Sequence, residues 1–93
     1  MIDSPVITLF KQLIDFDKSI SQPVYIQVSQ QIVNAIQRKY LSKGTKLPGT
    51  RVLGLILKVH RNTAVAIYEE LAAQGWVDIV PNKGTFVLVP ALN

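Results

Sequence analysis

The sequence of 93 residues contains no cysteine, which excludes a disulfide framework and a thiolate metal site and leaves packing as the source of stability. It also has no apolar run of the roughly 18 residues that a membrane-spanning helix requires. The first residues do not combine a basic region with an apolar core, as a secretory signal would. We therefore expect a cytoplasmic protein that makes no membrane contact.

Residues that would support catalysis are also scarce. The one histidine, His60, has no Cys, Asp or Glu near it in the sequence at the spacing of a catalytic triad or a metal site. Gly75 and Gly84 lie where secondary structure already requires turns, so neither indicates a phosphate-binding loop. The sequence thus predicts that this chain is not an enzyme and that it holds no cofactor or metal.

Apolar residues make up 48% of the chain, enough to fill the core of one small domain. The formal net charge is +4. This charge favours an anionic partner, although a small domain often carries as much. Charge alone therefore does not choose a function.

The most informative stretch runs from residue 47 to residue 75, which we interpret as two short helices joined by a tight turn. In the second helix, apolar residues recur at the spacing of one helix face, namely Ala64, Ile67, Tyr68 and Leu71. Arg61 stands at its start, where free N–H groups and a partial positive charge already favour an anion. This start is either a phosphate contact or an ordinary solvated helix end, and the pattern alone leaves both open.

The first helix follows Leu47-Pro48-Gly49, which indicates an extended backbone. We expect Thr50 to be its N-cap and Arg51 to lie in its first turn. Only a short turn separates the two helices, so they must cross steeply, as in a helix-turn-helix unit. The inward residues of the first helix are predicted to be Leu53, Ile56 and Leu57.

Gly54 interrupts this helix at a cost of about 1 kcal/mol relative to alanine. It indicates either the close approach of a neighbouring helix or simple tolerance. The helical phase turns Val52 and Leu55 outward, where they form either ordinary exposed surface or a contact surface for another domain or subunit.

The residues at the beginning of the chain predict a short leading helix. Ser4-Pro5 is its start signal, and the helix either covers one edge of the same core or is a partner-binding arm. Residues 15–22 form a connector. A short strand through Ile14 and Phe16 is an open alternative.

Pro23 then opens a longer scaffold helix, and Ser21 or Gln22 is its expected cap. Its inward residues are predicted to be Tyr25, Val28, Ile32, Ala35 and Ile36. Its other face should be solvated because its residues are neutral and polar, namely Gln27, Gln30, Gln31, Asn34 and Gln37. The basic loop that follows contains Lys43 and Lys46, which either contact phosphate or are simply solvated.

The end of the chain predicts a β-hairpin. Gly75 is a helix stop, and residues 76–80 have the apolar and β-branched content of a strand. Residues 81–84 have strong turn chemistry, and residues 85–89 supply the returning strand. Two strands after a helix-turn-helix make a wing. Lys83 at its tip either reaches a minor groove or a phosphate, or it keeps the hairpin edge soluble.

Several spaced motifs occur in this chain in a fixed order. They are Leu47-Pro48-Gly49-Thr50-Arg51, Leu53, Leu57, Val59, Arg61, Thr63, Tyr68, Leu71, Gly75, Trp76 and Gly84-Thr85-Phe86-Val87. Over residues 23–89 they resemble the DNA-binding domain of GntR-type transcriptional regulators, and their combination is specific. The chain departs from the family where His60 replaces a small hydroxyl residue, Lys58 a glycine and Gly54 an alanine.

The resemblance implies a mainly α fold with a small β-hairpin. This fold is a winged helix-turn-helix, with a three-helix core, a two-stranded wing and a short extra N-terminal helix. We divide the chain into an N-terminal helix and connector (1–22), the winged helix-turn-helix domain (23–89) and the start of a linker to a missing C-terminal domain (90–93).

The resemblance also implies where DNA would bind. Residues at the start of the second helix would lie in the major groove, and Arg51 would hold a phosphate. The groove residues would be Arg61, Asn62, Thr63 and Val65. The full set of expected DNA-binding residues is Thr50, Arg51, His60, Arg61, Asn62, Thr63, Val65, Lys83 and Gly84.

The implied partners are a double-stranded DNA operator and, in the full-length regulator, a second copy of the chain. The runs 59–63 and 70–76 look most like the MocR branch, whose C-terminal domain resembles an aminotransferase and holds pyridoxal phosphate. The runner-up is the branch with a small helical dimerisation tail. The alternative function is a winged-helix module that binds protein and has lost its DNA face. Arg51, Arg61 and Lys83 argue against that alternative.

Overall fold

The computed structural model describes residues 5–88, which form a winged helix-turn-helix fold as predicted. Expectations for Ser4, Val89 and residues 90–93 lie outside the described residues. The helices are α1 (Pro5–Leu13), α2 (Val24–Gln37), α3 (Thr50–Leu57) and α4 (Arg61–Ala73). The strands are β1 (Lys46–Leu47), β2 (Val77–Val80) and β3 (Gly84–Val87). Between residues 5 and 88, no helix has the length and apolar character needed to cross a membrane.

The core lies where α4 packs against α2 and α3. Tyr68 and Leu71 from α4, Val28 and Ile32 from α2, and Leu53 from α3 are almost fully buried. These residues were predicted to face inward from helical spacing. Burying a side chain of this size contributes about 1.5 to 3 kcal/mol, so this cluster is the main source of stability.

The wing is an antiparallel sheet with the strand order β1-β3-β2. The predicted hairpin of β2 and β3 is confirmed, and β1 adds a third strand that the sequence did not predict. Lys46 in β1 pairs with Phe86 in β3, while Thr45 accepts a hydrogen bond from the Val87 N–H. A strand of two residues carries no alternating pattern, so only its partner identifies it.

Two helix starts differ from the sequence prediction. Pro23, and not Ser21 or Gln22, is the N-cap of α2, because its carbonyl already accepts from the N–H groups of Ile26 and Gln27. Gly49, and not Thr50, is the N-cap of α3, because the Leu53 N–H donates to the Gly49 carbonyl at 2.8 Å. No side-chain hydrogen bond caps either helix. The backbone bonds therefore begin one or two residues from where the residue types suggested.

The N-terminal segment belongs to the core. Phe10 of α1 is 2% exposed, and α1 packs against α3, which agrees with the alternative that this helix covers an edge of the core. Residues 14–17 are irregular and form no strand.

Glutamines of α2 hold the connector in place. The Gln27 Oε1 accepts from the Asp17 N–H at 2.9 Å, and its Nε2 donates to the carbonyls of Asp17 and Gln22. The Gln31 Oε1 accepts from the Asp15 N–H at 2.7 Å. The prediction that this face is solvated is wrong for Gln27, which is 8% exposed, because the amide satisfies backbone groups of a passing segment.

Candidate nucleic-acid interface

The start of α4 carries its own cap. His60 has an extended backbone, and its Nδ1 accepts a hydrogen bond from the Asn62 N–H at 2.9 Å. Because Nδ1 is the acceptor, the ring proton of the neutral imidazole lies on Nε2. Histidine thus does what a Ser or Thr cap does elsewhere, and the departure from the family pattern at this residue leaves the helix start intact.

Arg61 and Asn62 follow the cap as the first two residues of α4, and both are exposed. Thr63 and Val65 are half-buried. A groove separates the start of α4 from the start of α2, and its lining residues are Pro23, Val24, Tyr25, Asn62, Thr63 and Ala66. Neither helix has an acidic residue in its first turn, so the partial positive charges of two helix starts act on neighbouring surface.

The turn between α3 and α4 is tight. Lys58 ends α3 in the left-handed conformation at φ 58°, the conformation that the family's usual glycine accepts most easily. A Cβ on Gly54 would lie 3.1 Å from the Val59 carbonyl oxygen and 3.7 Å from the Arg61 Cα. Gly54 therefore allows α3 to approach the start of α4 closely. This confirms the prediction that the glycine marks the close approach of a neighbouring helix.

On α3, the helical phase is as predicted. Leu53 and Leu57 are buried, whereas Val52 is 38% and Leu55 is 70% exposed. Arg51 is exposed in the first turn, beside the half-buried Thr50. The start of α3 therefore exposes Arg51, and the neighbouring Thr50 does not cap the helix.

The wing tip is a turn in which the Lys83 N–H donates to the Val80 carbonyl at 3.0 Å and Asn82 has a φ of 65°. The Lys83 side chain is exposed. Gly84 has a φ of +132°, and a Cβ there would lie only 2.8 Å from the Lys46 Cε. Gly84 thus leaves room for the Lys46 side chain, which brings a second cation next to the turn at the wing tip.

The distribution of charge along the sequence favours an anionic partner. From Lys18 to Tyr68 the sequence has no acidic residue. Within the domain at residues 23–89, the basic residues of this stretch are Arg38, Lys39, Lys43, Lys46, Arg51, Lys58 and Arg61. The acids Glu69, Glu70 and Asp78 follow later, in the second half of α4 and in β2. This acid-free run is a sequence signal that net charge conceals, and the exposed Lys58 in the turn between α3 and α4 is a further candidate that the sequence analysis did not name.

The comparison with known families decides the identity of this fold. The profile of the family described as "Bacterial regulatory proteins, gntR family" matches residues 24–87. The chain belongs to the GntR family. This family's DNA-binding domain serves transcriptional regulators and is not enzymatic, in agreement with the prediction that the chain is no enzyme. Among residues 5–88, no three His, Asp or Glu side chains are grouped so that they could hold a metal ion.

Curated relatives extend beyond this domain. The chain is 37% identical over 67 residues to the HTH-type transcriptional regulator YhcF of Bacillus subtilis, covering 72% of this chain and 55% of YhcF. It is 31% identical over 75 residues to the HTH-type transcriptional repressor YtrA of the same organism, covering 81% of this chain and 58% of YtrA. The chain thus spans little more than half the length of these relatives.

Solved structures share the GntR-type fold. YtrA from Sulfolobus acidocaldarius, a GntR-family transcription factor, superposes with a TM-score of 0.78 at 29% identity, covering 84% of this chain and 82% of that one. The AraR DNA-binding domain, solved in complex with operator ORX1, superposes with a TM-score of 0.71 at 28% identity. That match covers 80% of this chain and 93% of the AraR chain.

Proposed function

We propose that this chain binds duplex DNA as the reading domain of a bacterial transcriptional regulator. The start of α4 carries this proposal, because Arg61 and Asn62 are exposed on a helix whose first turn is capped, free of acid and matched to an operator-bound fold. An α-helix of this kind fits the major groove, where base edges can be distinguished. As a regulator of genomic DNA, the protein would act in the cytoplasm.

The residues divide into two roles. Arg61, Asn62, Thr63 and Val65 would meet the major groove, where Arg61 pairs with guanine or phosphate and Val65 meets thymine methyl groups. Positioning contacts to phosphates would come from the other cations and the polar residues at the helix starts. These positioning residues are Thr50, Arg51, His60 and Lys83, with Gly84 admitting Lys46 to the wing.

Salt dependence tests the proposal directly. Neutralising phosphates releases counterions, so the affinity for a random-sequence duplex should fall linearly on a log–log plot against salt. Lys18 is a matched control, because it is an exposed cation in the connector, outside the motif. Lys18→Ala should leave the slope unchanged, whereas Arg51→Ala should reduce it by about one unit. A chain that binds no duplex at low salt is instead the protein-interaction winged helix.

We propose further that the full-length regulator is a homodimer that binds two half-sites, because dimer symmetry is mirrored in operators. The isolated chain should then bind a single half-site weakly at physiological salt. Tight binding by one domain would contradict the dimer.

The branch of the family is the finer part of the proposal. MocR of Rhizobium meliloti, at 31% identity with 14% of its length covered, supports the MocR branch. There, pyridoxal phosphate would belong to a C-terminal domain and not to the residues described here. YhcF and YtrA, of which this chain covers 55% and 58%, support the branch with a small tail, and YhcF has the higher identity. The length of the reading frame that encodes this domain distinguishes the two.

A further inference from the structure

Tyr68 connects α4 to the segment that leads into α3. Its ring lies in the core with 1% of the residue exposed, and its hydroxyl donates a hydrogen bond to the Pro48 carbonyl, 20 residues away in sequence. Burial raises the pKa of the Tyr68 phenol, so the hydroxyl keeps its proton and remains a donor. The contact thus joins two parts of the chain that carry different candidate DNA contacts.

The Pro48 carbonyl lies immediately before the start of α3. Gly49 is the N-cap and accepts the first backbone hydrogen bond of that helix, from Leu53. No side chain caps α3, and the Gly49 residue that joins Pro48 to the helix has the least intrinsic stiffness of any residue. The Tyr68 hydroxyl therefore adds a fixed point at Pro48, between the paired strand β1 and the uncapped start of α3.

We propose that Tyr68 is a positioning residue for DNA binding, whose hydroxyl holds the Pro48–Arg51 segment against α4 and so fixes Arg51 relative to Arg61. This inference rests on the proposed function. Phosphates and base edges of a duplex have a set spacing, so two cationic side chains bind together only if their separation is already correct. A loosened segment would have to be ordered on binding, which lowers the affinity.

A purely structural role for Tyr68 makes a different prediction. The ring alone fills the core, and phenylalanine would preserve that packing while removing the hydroxyl. If the hydroxyl serves only the core, then its loss changes the stability but leaves DNA binding by the folded protein unchanged. If it positions Arg51, then its loss also weakens binding, and this weakening depends on Arg51.

A double-mutant cycle separates the two roles. Tyr68→Phe, Arg51→Ala and the double variant of the 93-residue chain are titrated with a fluorescent random-sequence duplex at low salt, at a temperature where all remain folded. Tyr68→Phe should weaken binding by about twofold to fivefold, which is no more than Arg51→Ala does. In the Arg51→Ala background it should have almost no further effect, because the residue it positions is gone.

Two controls match the substitutions. Tyr40→Phe removes a hydroxyl from a 56% exposed tyrosine and should not affect binding. Ile67→Val lowers the stability through a buried residue of α4 that is not bonded to Pro48, and it should leave the affinity of the folded protein unchanged.

Independent losses that multiply in the double variant, or a Tyr68→Phe protein that binds like the parent, would overturn the inference. If Arg51→Ala alone has no effect, the phosphate role of Arg51 fails first, and if the parent chain binds no duplex, the proposed function fails.

Discussion

The two helices of the motif begin in different ways. The start of α4 is capped locally, since His60 bonds to Asn62 two residues later, whereas the start of α3 has glycine at its cap and depends on a hydroxyl from α4. Each start presents one arginine. The contrast indicates that the backbone position of Arg61 is fixed by residues next to it in the sequence. The backbone position of Arg51 is fixed by a tertiary contact.

The largest effect on DNA binding is expected at the start of α4, which is capped by its own neighbours. Arg61→Ala should weaken operator binding by about 1 to 3 kcal/mol, because charge-assisted contacts at a groove have this size. The melting temperature should stay unchanged, since the side chain is exposed and outside the core. Anisotropy titrations and thermal melts measure the two quantities. Equal binding by a variant that melts like the parent would remove this helix start from the interface.

The corresponding substitution on α3 should lower the DNA affinity less, and by a similar factor for every DNA sequence. Arg51→Ala should lower the affinity for operator and random duplex by similar factors, about 1 kcal/mol, because a phosphate carries no base information. Titrations of both duplexes over a range of salt provide the measurement. A loss restricted to the operator would mean that Arg51 reads bases, and the two helix starts would then share one role.

The cap of α4 can be removed without touching either arginine. His60→Ala should lower the unfolding free energy by about 1 kcal/mol, the usual effect of losing a side-chain cap. His60→Asn is the matched control, because its amide oxygen can replace Nδ1 as the acceptor for Asn62. Urea denaturation of the two variants measures the difference. If both are equally destabilised, the Nδ1 hydrogen bond does not explain the stability of this helix start.

The same contrast explains how far the sequence could be interpreted. The core face of α4, the outward phase of Leu55 and the hairpin were predictable because helical spacing and turn residues are local signals. The strand β1 was not, since two residues become a strand only through pairing with β3, about forty residues later. The cap of α3 is misassigned to Thr50 because cap preference favours threonine over glycine, although Leu47-Pro48-Gly49 already indicates the extended backbone that Gly49 has.

The candidate site divides in the same way. Arg51, Arg61 and Lys83 could be singled out by residue type and place in the motif, and the structure leaves all three exposed. The contacts of Gln27, Lys46 and Tyr68 could not be predicted, because they involve a connector carbonyl, a glycine in the wing and the Pro48 carbonyl. Polar side chains whose partners lie ten or more residues away carry no periodic signal, so their contacts emerge only in the folded chain.

A cap can also be added to α3 to test whether its start lacks one. Gly49 has ordinary φ and ψ for a cap, −63° and 163°, and a Cβ there would meet nothing within 4 Å. Gly49→Ser should therefore raise the unfolding free energy by a few tenths of a kcal/mol, roughly the difference between glycine and serine caps. Gly49→Ala is the control without a hydroxyl. A serine variant no more stable than the alanine variant would show that the start of α3 gains nothing from a side-chain cap.

The smallest effect is expected on the outer face of α3. Leu55 is 70% exposed while Leu53, two residues earlier, is fully buried. Leu55→Lys should change the unfolding free energy by less than about 0.5 kcal/mol, as exposed substitutions usually do. Leu53→Ala should cost about 2 to 5 kcal/mol, because it empties part of the core. Urea denaturation of both variants compares the faces directly. A large loss from Leu55→Lys would mean that α3 packs with this face inward, and Arg51, four residues before Leu55, would then turn away from solvent with it.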